Sequence, residues 1–159
     1  MQVAYGGLQI AANTTPSLAP ATAAKHTQGW AAIAAAQHGA QEIAASVANS
    51  RLTLVPGVYL VVWQASLETE DISGTSGDGI GDVTLQIARG GTVVAGTRAR
   101  MNHQNVDRLQ SATALGLIEI TQAQADASTN YVEPFIQSGD ASGNDVTVRE
   151  GQFFALKLS

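Results

Sequence analysis

The residues that could carry chemistry are few and scattered. The densest set is Glu68, Glu70, Asp71, Asp78 and Asp82, five carboxylates in the fifteen residues ETEDISGTSGDGIGD, interleaved with four glycines. Calcium takes about six to eight oxygen ligands on a flexible backbone, so this stretch is a calcium candidate. Its spacing matches neither the EF-hand loop nor the nonapeptide calcium repeat, and the competing reading is a solvated loop at a sheet end. His26, His38 and His103 lack the HxH or HExxH spacing that puts two imidazoles on one zinc. His103 and Asp107 lie four apart with no GxSxG nucleophile turn, so no Ser-His-Asp site is expected. Glu119, Glu133 and Glu150 would serve glycoside hydrolysis only if the fold set two of them a few ångströms apart. We expect neither an enzyme nor a cofactor. Arg98, Arg100 and Arg108 flank a polar stretch and suit an acidic partner surface, with ordinary solvation as the alternative.

Bulk composition narrows the rest. Thirteen acids against eight Lys and Arg leave a net charge of −5 over 159 residues. The cations stand singly, so no basic stripe is available to neutralise a phosphate backbone, and nucleic acid is not an expected ligand. There is no cysteine, which removes disulfides, Cys-zinc sites and thiol catalysis together. The first residues carry neither a basic segment nor an apolar run, and no later run approaches the roughly 20 apolar residues of a membrane span. The expectation is a protein made in a reducing cytoplasm, with no membrane partner. Asn13-Thr14-Thr15 matches a glycosylation acceptor, which has no meaning without a secretory route. Only 13% of the residues are charged, and so little charge favours burial of surface in an assembly.

The elements that must position these residues read as strands. Residues 1–29 are rich in Ala, Thr and Pro, with Leu8 and Ile10 alternating and Pro16 and Pro20 fixing extended backbone. We read an extended N-terminal arm, either a loose terminus or one ordered against a neighbour, ahead of a single domain over 30–159. Across Trp30 to Ala48 two readings compete. The alanines favour helix, while Gly39 interrupts it and Ile43, Ala45 and Val47 alternate; we read two short strands. Beyond the Pro56-Gly57 turn, Tyr59, Val61, Trp63, Ala65 and Leu67 share one parity and Val58, Leu60 and Val62 the other. That pattern predicts a central strand with Tyr59 and Trp63 in the core, and Trp30 is read as core with them. DVTLQIARGGTVV predicts a hairpin turning at Gly90-Gly91. Segments 114–121, 130–137 and 145–158 add strands, with Pro134 at an edge or a bulge. Seven or more short strands with regular turn signals predict an all-β, antiparallel jelly-roll sandwich.

The stretch Leu52-Thr53-Leu54-Val55-Pro56-Gly57-Val58-Tyr59-Leu60-Val61-Val62, followed by the DVTLQIARGGTVVAGT hairpin and the C-terminal EGQFFALKLS, resembles the jelly rolls of the tumour-necrosis-factor and complement globular-head superfamily. The resemblance runs in order over about residues 40–158. It implies a ten-strand jelly roll packed as a three-fold homotrimer around an apolar inner sheet. Without a collagen-like stalk, the chain is most similar to the variants that bacteriophages use as capsid decoration, or cement, proteins. The resemblance then implies a virion protein of the outer capsid surface whose partner is the major capsid protein. The expected partner-binding residues are Tyr5, Leu8, Ile10, Pro16 and Pro20 of the arm together with Arg98, Arg100 and Arg108. The alternative is a carbohydrate- or receptor-binding head of a fibre or spike.

Overall fold

Two-residue alternation becomes strand almost everywhere the computed structural model describes the chain, over residues 3–14, 22–33, 41–69, 82–102, 109–138 and 146–159. The elements are β1 (Tyr5–Ile10), β2 (Ala24–Lys25), β3 (Trp30–Ala32), β4 (Ile43–Ser46), β5 (Arg51–Leu54), β6 (Gly57–Thr69), β7 (Asp82–Arg89), β8 (Thr92–Val93), β9 (Ala99–Asn102), β10 (Gln110–Ile120), α1 (Gln122–Asp126), β11 (Tyr131–Ser138) and β12 (Val146–Lys157). They form two sheets. One has the order β10-β6-β12-β1-β3, and the other β4-β5-β11-β7-β8 with β2 on β11 and β9 on β7. Every pairing between these strands is antiparallel. The fold is the all-β jelly-roll sandwich expected from the sequence.

Long β6 shows why the pattern was informative. Tyr59, Val61, Trp63, Ala65 and Leu67 are all inaccessible to solvent and meet Leu52, Leu54, Val83, Leu85 and Ile87 from the facing sheet in one core. The opposite parity is apolar at Leu60 and Val62 and polar at Gln64 and Ser66, so the other side of the sheet changes character along its length. The Tyr59 hydroxyl donates to the Val55 carbonyl at 2.9 Å. Burial, and then the Glu42 carboxylate, push its pKa up to about 12.

The hairpin forms as read: Ala88 pairs with Val93 and Arg89 with Thr92, and Gly90 and Gly91 take positive φ of 56° and 81°, the two-residue turn that matches strand twist. Both strands expected between Trp30 and Ala48 are present, as β3 and β4. Pro134 lies neither on an edge strand nor at a bulge. A strand residue's N and C=O point to the same side, and the Pro134 carbonyl accepts from the His26 amide at 2.9 Å. Its missing N–H therefore faces the gap between β5, which pairs through Val132, and β2, which begins at Phe135.

One expectation is overturned. The N-terminal residues are not an arm outside the domain: β1 lies between β12 and β3, and Leu8 is completely buried. The cause is local. A Cβ on Gly7 would lie 2.6 Å from Phe154 Cβ and 2.8 Å from the Phe153 carbonyl, so only glycine lets the strand approach this closely. Thr14 continues the attachment through paired hydrogen bonds with Val148. His26 then packs its ring flat on Trp63, with centroids 6.1 Å apart, and edge-on to Trp30 at 5.4 Å. Nε2 lies 3.4 Å from the Thr14 hydroxyl, and Nδ1 makes no hydrogen bond of good geometry. Burial pushes the imidazole down to about 4, with the Gln28 backbone opposing.

Candidate functional site

The candidate site is the outer face of the β10-β6-β12-β1 sheet. Register places its outward side chains in rows across the strands. Leu117, Leu60, Leu156 and Tyr5 form one row, and Leu115, Val62, Phe154 and Gly7 the next. Thr113, Gln64, Gln152 and Gln9 follow, and then Ser111, Ser66 and Glu150. One half of the face is therefore apolar and the other half polar. On β10, Ala114, Ile118 and Ile120 face the core at no more than 2% exposure, whereas Leu115 and Leu117 stand 53% and 70% exposed. β10 is also an edge strand of eleven residues with neither Pro nor Lys, the residues that blunt a free edge. Between these leucines and Tyr5 the rows are continued by half-buried Leu60, Phe154 and Leu156 and by buried Val62, and such an apolar face beside a polar band suits a protein partner.

The polar half opens into a groove of about 380 Å³ between β1, β12 and β6, lined by Gln9, Ile10, Gln64, Ser66, Glu150 and Gln152 among others. At its lower end β12 is bulged between Val148 and Glu150. Arg149, at this bulge, forms an ion pair with Glu68. Ser66 and Ser111 close the row with a 2.7 Å hydroxyl contact.

The residues expected to bind partners fall apart in space. Tyr5, 37% exposed, lies in the first apolar row. Leu8 is core, which removes it from any surface role, and Ile10 packs half-buried against the core at the groove. Arg98 and Arg100 are exposed beside and on β9, while Pro16, Pro20 and Arg108 lie outside the described residues. Of the calcium candidates, Glu68 pairs its carboxylate with Arg149. Asp82 begins β7, and Glu70, Asp71 and Asp78 lie outside the described residues, as do His38, His103 and Asp107. Among the described residues no three His, Asp or Glu side chains group as metal ligands.

The three glutamates do not converge. Glu119 sits opposite Val58 and Glu150 opposite Ser66, eight residues apart along β6, or about 26 Å. Glu133 is on the other sheet, buried at 5% exposure and bound to Lys25 at 2.9 Å. Sequence reasoning passed over Leu115 and Leu117 because both parities of ALGLIEI are apolar, so alternation could not say which leucines face out. It also passed over α1, although Thr121 and Gln124 carry the S/T-x-x-E/Q capping box that the structure forms.

No family model matches this sequence, and no curated protein does. Solved structures do match in shape. The Eiger TNF of S. frugiperda superposes with a TM-score of 0.63 at 12% identity, covering 100% of this chain and 94% of that one. Murine APRIL at pH 5.0 superposes with a TM-score of 0.53 at 13% identity, over 97% of this chain and 99% of that one. Murine APRIL at pH 8.0 gives 0.51 at the same identity. With so little identity and nearly complete coverage, what is shared with these structures is the fold, an all-β jelly roll.

Proposed function

We propose that the chain is a non-catalytic structural or receptor-type head that assembles with copies of itself, as a homotrimer, through the outer face of the β10-β6-β12-β1 sheet. The observation that carries this reading is the pair of apolar rows running unbroken from Leu115 and Leu117 across β6 and β12. Low charge and the implied three-fold packing of the resembled superfamily agree with it. The finer reading is that the trimer decorates a phage capsid, with the major capsid protein as partner and the virion surface as its location. Its test is cosedimentation with undecorated shells.

Self-association is tested by the double variant L115S/L117S. Burying a leucine fully is worth about 1.5–3 kcal/mol. With 53% and 70% of these side chains still exposed, each has about 1–2 kcal/mol to gain per contact. The variant is expected to keep its melting transition as a folded chain and to sediment as a monomer where the parent is assembled. Unchanged assembly would overturn the reading.

A further inference from the structure

The polar half of the face has a property of its own, complete within one chain and independent of whether copies assemble. Register sets Gln64 on β6, Gln152 on β12 and Gln9 on β1 side by side, about 4.8 Å from strand to strand. All three are exposed, and among the described residues nothing bonds to their amides. Ser66 and Glu150 make the next row. The bulge in β12 sets two successive charged residues there: Arg149 turns to Glu68, and Glu150 stands exposed on the groove. Gly151 lies at the floor, where even a methyl group would crowd Ile10 at 2.9 Å and the Trp63 ring at 3.1 Å. The enclosed space, about 380 Å³, falls within the roughly 300–1,000 Å³ of small-ligand sites.

The lining narrows the chemistry of a ligand. β1, β12 and β6 are all interior strands, so their backbone groups pair with each other and a peptide cannot add to them as a further strand. Ile10 is the one large apolar side chain in the lining named above, so an apolar molecule gains little. A phosphate, sulfate or carboxylate would face Glu150, while Arg149 is already held by Glu68. Hydroxyl groups do match. An amide offers donors and an acceptor together, as each sugar hydroxyl does, and a carboxylate accepts from several donors at once.

We infer that this groove is a binding site for a saccharide, neutral or amino-bearing, held by the amides of Gln9, Gln64 and Gln152, with Glu150 accepting from its hydroxyl or ammonium groups. The Ser66 row lies six residues along β6 from Leu60, about 20 Å, so the groove and the apolar rows can be altered separately.

The experiment is a glycan array of neutral, amino-bearing and acidic oligosaccharides, probed with the full chain and with L115S/L117S. Titration calorimetry on the strongest glycan follows, for the parent, for Q64A/Q152A and for E119Q, with circular dichroism confirming each fold. Glu119 stands beside Val58 at the far end of the sheet and serves as the control. Retention is expected on neutral or amino-bearing glycans and not on acidic ones. Q64A/Q152A is expected to bind at least about tenfold more weakly, the loss of several hydrogen bonds, while E119Q matches the parent. Binding by L115S/L117S alone would uphold the site and show that assembled copies cover it. A parent that binds as a monomer would uphold the site and overturn self-association. No glycan retained by either chain, retention of acidic glycans alone, or equal affinity of Q64A/Q152A and parent would overturn the inference while leaving self-association standing.

Discussion

Acidification bears directly on the buried His26 cluster. In the folded chain burial holds the imidazole at about 4, against an ordinary value of 6.5. The folded value is the lower one, so this stabilisation is complete above pH 6.5 and is lost as pH falls toward 4. At about 1.4 kcal/mol per unit the full loss is about 3 kcal/mol, and about 2 kcal/mol of it is gone by pH 5. That is a large fraction of the roughly 5–15 kcal/mol by which domains are stable. The perturbation that isolates it is H26F, which keeps an aromatic ring against Trp63 and Trp30 and removes the titrating nitrogens. Urea unfolding followed by tryptophan fluorescence suits the site, because both Trp rings lie within 6.1 Å of the His26 ring, centroid to centroid. Between about pH 7.5 and pH 5 the parent should lose about 2 kcal/mol more than H26F, the carboxylate titrations being common to both. Parallel pH profiles would refute the account of a dehydrated imidazole.

Two further predictions concern the N-terminal strand. G7A introduces a methyl group 2.6 Å from Phe154 Cβ; β1 and β12 must separate, and the denaturation midpoint should fall by the equivalent of about 1–3 kcal/mol. Removing residues 1–10 deletes β1, exposes the β12 edge and takes Leu8 from the core. The truncated chain should show no cooperative thermal transition by circular dichroism, where a detachable arm would leave the transition intact.

Legibility in the sequence followed how much of each element's environment is local. β6 and the β7–β8 hairpin were readable because parity and two glycines decide them without reference to distant residues. β1 was misassigned as an arm because its place is decided at long range, by Phe153 and Phe154 some 145 residues away accepting a glycine-bearing strand. Only Leu8 and Ile10 alternated, and Gly6-Gly7 reads as loose chain until the partner strand is known. The helix after β10 was announced by a capping box too short to outweigh its β surroundings. The candidate site was hidden for a different reason. Its rows take one residue from each of four strands, so the division into apolar and polar halves exists only in the register. Leu115 and Leu117 became distinguishable from Ile118 and Ile120 once β10 had a core side.

In the proposed trimer the sheet face bearing Leu115, Leu117, Leu60 and Phe154 is covered by copies of the same chain. Its most direct test is the mass of the native particle by light scattering coupled to size-exclusion chromatography over a range of concentrations. The expected result is the mass of three 16.4 kDa chains, falling to lower mass on dilution. A particle of one chain at every concentration would contradict it.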